Sequence, residues 1–213
     1  MIAAISLMRR RPDISLAQFR KHWLDPHGVM TAELPGVSFY IQSHCIGSPV
    51  TNALAEQLGI EGIPELWFDS YEDRRIAYTS PRIAECNIDS EQFVGAVTRL
   101  VTEPQVIVKP PAVEKPVKVI LLATGTPDVA WADRAEARLA RWPGVTGYVR
   151  QKLLEQAPAP HSKIPELKIP VAGFAEVIFE SERALQQNAG TLSGNGADAD
   201  RTAIYRVEDY RLV

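Results

Sequence analysis

An imidazole titrates near pH 6.5, so a histidine held at a helix end beside open space can move protons at neutral pH with little tuning. Three of the four histidines, His22, His27 and His44, lie close together near the start of the chain. His27 has the clearest mechanical case. It follows Trp23-Leu24-Asp25-Pro26, and Pro26 cannot donate to the carbonyl of His22, so a helix running through it must break. Asp25 and Pro26 then suit the cap and first position of a restarted turn. His27 at such a break can face a cavity as general acid or base; on the plainer view it only hydrogen-bonds nearby backbone to hold the kink. Leu16, Phe19 and Trp23 share one helix face and read most simply as core, although an aromatic beside His27 would also suit a flat apolar ligand, whereas His22 neighbours Arg20 and Lys21 and stands nearer the solvent side.

His44 shares one strand face with Tyr40 and Gln42, and Val37, Phe39 and Ile41 take the other. With the apolar face against the helix, Tyr40 and His44 belong to a space between sheets, in a polar network that Tyr148, Arg150 and Lys152 would complete from the second half. Tyr40 is nonetheless carried among the substrate-binding candidates with Phe19, Trp23 and His22. Glu65 and Glu176 each interrupt an apolar strand and need a partner or a raised pKa. Their occurrence in both halves favours structural pairing, with Arg150 the expected partner of Glu65. Arg9, Arg10 and Arg11 at a strand end read as a solvated turn.

No glycine-rich phosphate loop, nucleophile elbow or cysteine pair with metal spacing occurs, and His22 and His27 are five apart across a proline, not the i, i+4 of a helical zinc pair. Neither a metal nor a cofactor is expected. A net charge of −3 over 213 residues gives no basic field for nucleic acid or an anionic membrane surface. Two cysteines, Cys45 and Cys86, point to a reducing compartment. The apolar run Met1 to Met8, ended by three arginines, is too short for a membrane span and lacks the order of a signal peptide, so it reads as the first strand of a cytoplasmic protein.

The elements that must position these residues recur. Arg11-Pro12-Asp13-Ile14 is echoed by Thr126-Pro127-Asp128-Val129, LPGVSFYIQ from Leu34 by WPGVTGYVRQ from Trp142, and GIPELWFDS from Gly62 by GFAEVIFES from Gly173. Each half reads as βαββαβ. The first has a strand from Ile2, a helix from Leu16 with a Ser15/Gln18 capping box and an Ile14–Phe19 staple, a strand over Val37 to Cys45, a strand near Glu65 to Phe68, and a helix from Ser70. A helical stretch over Glu91 to Val101 and a strand from Gln105 to Lys109 follow. The second has strands over Val117 to Thr124, Val145 to Leu154, Ala172 to Phe179 and Ala203 to Leu212, a helix over Ala130 to Arg141, and loops at Ala157 to Pro170 and Gly190 to Asp200.

A four-stranded sheet with helices on one face must cover the other, so the fold class is α+β: two ferredoxin-like βαββαβ repeats, residues 1–112 and 117–213, packed sheet to sheet as a barrel within one chain. The proline run at Pro110, Pro111 and Pro116 is the linker. From Pro12 to Pro35 is 23 residues but from Pro127 to Pro143 only 16, so the second copy lacks about two helical turns, the part bearing His22, Trp23 and His27. One pocket per chain follows.

The stretch RRRPDISLAQFRKHWLDPHGVMTAELPGVSFYIQ, from Arg9 to Gln42, together with GIPELWFDS, resembles the EthD family. The resemblance covers residues 1–109, with the second half similar to a degenerate copy. It implies a dimeric α/β barrel, here paired internally, and places Phe19, Trp23 and His27 as pocket residues. It also implies a setting in ether degradation beside a monooxygenase system, or cofactor-independent dehydratase or cyclase chemistry.

Two functions stay open. One is a cofactor-independent lyase or isomerase acting on a small apolar or aromatic oxygen-bearing metabolite, with His27 as general acid or base. The other is a binding or accessory protein for such a metabolite; haem binding is a weaker third. A small-molecule substrate is the expected partner, with no nucleic acid and no membrane, and the chain is either a monomer with a pseudo-dimeric barrel or a homodimer.

Overall fold

The computed structural model describes residues 1–112, 116–157 and 163–213. Among these, eight strands close into one antiparallel barrel: β1 (Ile2–Arg10), β2 (Val37–Cys45), β3 (Gly62–Phe68), β4 (Val94–Val108), β5 (Val117–Thr124), β6 (Val145–Ala157), β7 (Val171–Phe179) and β8 (Thr202–Arg211). Their order round the barrel is β1-β3-β2-β8-β5-β7-β6-β4, so no strand is left with an unpaired edge. Part of the proline linker and part of the 157–170 loop fall outside the described residues.

Period-two alternation divides the residues between two environments. Ala3, Ile5 and Leu7 of β1, Ile63 of β3, and Ile120 and Leu122 of β5 meet inside the barrel. The intervening side chains face outward, where helices cover them: α1 (Leu16–His22), α2 (Gly28–Ala32), α4 (Tyr71–Thr79) and α5 (Pro81–Ser90) on the N-terminal half, and α6 (Val129–Glu136), α7 (Glu182–Leu192) and α8 (Ala197–Arg201) on the C-terminal half, whereas α3 (Ala53–Leu58) packs Leu54, Ala55 and Leu58 on the interior cluster. Two outward clusters around Tyr40 and around Phe19 and Trp23 lie under the first set, and one around Trp131, Trp142 and Tyr148 under the second.

The α1 start forms as its residues require. Ser15 Oγ accepts from the Gln18 amide at 3.2 Å and the Ser15 amide donates to Gln18 Oε1 at 2.8 Å. Between α1 and α2 the chain runs through a wider turn, Trp23–His27, in which Asp25 leaves helical geometry (φ −150°, ψ 119°) at the position before Pro26.

Several expectations are corrected. Glu91 to Val101 is not helical: Ser80 caps α5, with Pro81 in its first turn, and the chain is already in β4 from Val94. The driving force is burial, since β4 pairs with β1 along most of its length and inserts Leu100 and Thr102 into the barrel. Gly190 to Asp200 is not all loop, because α7 runs to Leu192 and α8 begins at Ala197. The faces of β2 are also reversed. Tyr40, Gln42 and His44 point outward to the helices, and Ser43 points inward, where its hydroxyl donates to Asp209 at 2.7 Å. Gln42 and His44 are held on the helix side because they satisfy one another and, through Gln42, the backbone of the turn that follows α1. Tyr148 and Arg150 likewise face outward, Arg150 pairing with Asp133 and Glu136 of α6, so Glu65 finds a different partner.

Candidate active site

The break after α1 sets His27 between the helix layer and the outer surface of the barrel. Its side chain is 11% exposed. Nδ1 lies 2.9 Å from Asp89 Oδ2 and Nε2 lies 3.2 Å from Thr31 Oγ1. A carboxylate can only accept, so Nδ1 carries the hydrogen; in the neutral ring Nε2 then keeps its lone pair, to which the Thr31 hydroxyl donates. The other Asp89 oxygen accepts from His22 Nε2 at 2.9 Å. Burial alone would raise the Asp89 carboxyl, but the hydrogen bonds from His27 and His22 outweigh it and hold the group below the usual carboxylate range. Asp89 therefore stays ionised and is available to stabilise positive charge on His27.

Phe93, the residue before β4, closes this cluster from one side. Its ring centroid lies 4.9 Å from that of His27, edge on, 5.0 Å from His22 and 5.7 Å from Phe19. On the barrel side Trp23 stacks on His44 at 4.4 Å with planes 10° apart. Gln42 orients this layer. Its Nε2 donates to the Trp23 carbonyl at 2.7 Å and to Tyr40 Oη at 2.9 Å, while Oε1 accepts from His44 Nε2 at 3.1 Å. Burial, joined by the Arg20 charge, holds the His44 imidazole down to about 4, so His44 is a neutral stacking partner at pH 7.

A cavity of about 70 Å³ opens beside His27. His27, Thr31, Trp23 and Tyr40 line it, with Met8, Leu66, Val97 and Arg99 from the barrel and Tyr78, Cys86 and Asn87 from the helices. Ile164 reaches it from the second half of the chain. The Val97 amide donates to the Pro165 carbonyl at 3.0 Å and the Leu167 amide to the Val97 carbonyl at 2.9 Å, which fixes that segment across the mouth. The expected pocket residues thus separate. Trp23, His27 and Tyr40 line the cavity together; Phe19 and His22 stand behind it, Phe19 fully buried against Trp23 and His22 committed to Asp89.

Asp89, Thr31 and Arg99 escaped the sequence reading. Asp89 is 62 residues from His27, and with a helix drawn over Glu91 to Val101 its place was hidden. The available signal was Ser80-Pro81, a capping residue followed by a first-turn proline. A helix begun there puts Cys86 and Asp89 three apart on one face, and both are buried.

Chemically, the cluster is a hydroxyl, an imidazole and a carboxylate in series, beside an apolar cavity that also presents one guanidinium. It can accept a proton at Nε2, hold the resulting charge against Asp89, and return the proton.

Residues 11–96 match the EthD domain. No curated protein matches the sequence. Among solved structures, an anthrone oxidase-like protein superposes with a TM-score of 0.64 at 11% identity, covering 99% of this chain and 93% of its own. A candidate monooxygenase from Lactobacillus acidophilus gives 0.52 at 9% identity, covering 100% and 94%. An EthD family protein from Bacillus halodurans gives 0.41 at 19% identity, covering 48% of this chain and 98% of its own. The first two likenesses are of the α+β barrel fold.

Proposed function

We propose, with the EthD domain at residues 11–96 as the premise, that this protein is a cofactor-independent lyase or isomerase acting on a small apolar or aromatic oxygen-bearing metabolite. One observation carries the reading: Asp89 pins Nδ1 of His27, which leaves the basic Nε2 on the cavity side. His27 Nε2 removes a proton from carbon next to a carbonyl, and the C–H electron pair passes into an enolate. Asp89 stabilises the imidazolium, which then gives the proton either to a departing hydroxyl, releasing water, or to another carbon of the substrate. The cavity walls of Trp23, Leu66 and Val97 exclude water and raise the strength of each polar contact.

The chain is further read as two ferredoxin-like repeats, the second degenerate. Strand order supports this: β4-β1-β3-β2 in the first half corresponds to β8-β5-β7-β6 in the second. So does packing, for Trp23 lies against Gly62 and Trp131 against Gly173, the repeat partner of Gly62. The proton machinery does not recur. Where Asp89 receives two imidazoles, Asp198 on α8 receives the guanidiniums of Arg134, Arg138 and Arg201, which hold their charge at all accessible pH.

A binding-only role is favoured by one observation, the Thr31 hydroxyl already on Nε2, which makes His27 a structural stitch. His27→Gln decides between the two. With a panel of enolisable aromatic ketones, loss of turnover with retained ligand affinity supports the enzyme; a wild-type protein that turns over none of them refutes it. Because an enolate is also what dioxygen attacks without a cofactor, and one fold relative is anthrone oxidase-like, oxygen uptake is recorded beside product absorbance.

A further inference from the structure

We propose that the cavity takes a flat organic ligand bearing an anionic oxygen, and that Arg99 is the residue that holds this oxygen. The inference rests on the reading above, that the cavity beside His27 is the binding site, and names the class of molecule it selects.

Arg99 extends from β4 on the helix side and lines the cavity. Its Nη2 donates to Asn87 Oδ1 at 3.2 Å, whereas Nη1 is buried with no hydrogen-bond partner. Among the described residues no carboxylate pairs with it. A guanidinium cannot shed its charge by losing a proton, so an unpaired donor of this kind at a cavity wall is complementary to an anion and costly beside a neutral apolar group.

The surroundings add to that charge. Arg74, whose Nε is also buried without a partner, lies 4.7 Å from the centroid of Tyr78, and Arg99 lies 5.9 Å from the same ring. Tyr78 itself lines the cavity, so two half-buried guanidiniums lie against the ring of one cavity residue. The neighbouring carboxylates are spent elsewhere: Asp89 on two imidazoles, Glu33 and Glu85 on Arg82.

One helix also ties the cation to the base. Asn87, which steers Arg99, and Asp89, which steers His27, are two residues apart on α5. As His27 takes the proton, the C–H pair becomes a C–C π bond and the carbonyl π pair moves to oxygen. Nη1 of Arg99 is the donor for the charge that arrives there.

Benzoate and its neutral isostere benzamide test this by titration calorimetry at pH 8. The wild-type protein is expected to prefer benzoate by about tenfold, the range of one charge-assisted hydrogen bond. Arg99→Met is expected to erase the preference by weakening benzoate about tenfold more than benzamide. Should that variant fail to fold, Arg99→Lys, which keeps the charge but moves it, is expected to lose most of the preference. Equal affinity for the two probes, or no binding of either at millimolar concentration, overturns the proposal, as does a preference that survives Arg99→Met. The same titration on His27→Gln separates the two readings. Anion preference retained there, with no turnover in the wild-type protein, leaves the anion site standing and removes the catalytic role; turnover without anion preference does the reverse.

Discussion

His27 is useful only because Asp89 decides which of its nitrogens is basic. Asp89→Asn keeps the size of the side chain but lets an amide N–H face Nδ1, which turns the ring to the other tautomer and points a proton at the cavity. Turnover is expected to fall by on the order of 10³-fold with affinity for a neutral ligand changed little, as progress curves and calorimetry would show. A second residue-scale effect is thermodynamic. The His44 imidazole moves from an ordinary 6.5 down to about 4 on folding, so between these values the unfolded chain binds the proton and the folded one does not. Its contribution is therefore to lower stability as pH falls from 6.5 to 4. His44→Phe keeps the stack on Trp23 without the titration, and its melting temperature is expected to fall less than that of the wild-type protein between pH 7 and pH 4.5. A parallel fall in both proteins would refute this. At this scale the sequence made His27 legible, because proline mechanics are local. It could not show Asp89 or Arg99, whose roles come from strands and helices far apart in the chain.

At the scale of elements, the site depends on how closely the turn after α1 approaches β3. Gly62 makes room for the Trp23 indole: a Cβ there would stand 2.6 Å from Cζ3 and 2.9 Å from Cη2. Gly173 does the same for Trp131, with a Cβ 2.2 Å from Cε3. Both Gly→Ala changes are expected to destabilise by about 1–3 kcal/mol through overpacking, readable in denaturant melts. Only Gly62→Ala should also disturb the site, because Trp23 carries both a cavity wall and the His44 stack. The discriminating result is ligand affinity, weakened in Gly62→Ala and unchanged in Gly173→Ala. Elements with a local signature were legible: the Ser15 capping box, the β2 alternation and the break at Pro26. The mistaken helix over Glu91 to Val101 and the reversed faces of β2 share one cause. Both were decided by what lies across the barrel, and an alternating strand carries no mark of which side is the interior.

For the molecule as a whole, the barrel interior joins the two halves through ionised groups as well as apolar ones. Lys118 of β5 lies 2.8 Å from Asp209, 3.2 Å from Glu176 and 3.5 Å from Glu65, all four with side chains nearly or fully shielded from solvent. Gln151 donates to the second Glu176 oxygen at 2.9 Å. Neither Glu65 oxygen has a hydrogen-bond partner. One cation cannot compensate three carboxylates, and Glu65 gives way: burial, then the Glu176 charge, pushes its carboxyl up to about 8 against the pull of Lys118. The unfolded chain would ionise it near 4.5, so from there to about 8 the folded state holds the extra proton and stability declines as pH rises. This slope opposes that of His44, which is why single variants are needed to see either. Glu65→Gln removes the titration while keeping the shape, and it is expected to melt within a few degrees of the wild-type protein at pH 5 and above it at pH 8. Lys118→Met does the opposite by leaving the carboxylates uncompensated, with an expected loss on the order of 3–5 kcal/mol at pH 7. If Glu65→Gln were equally destabilising at both pH values, Glu65 would be an ionised partner of Lys118 and the halves would be joined by a conventional salt bridge.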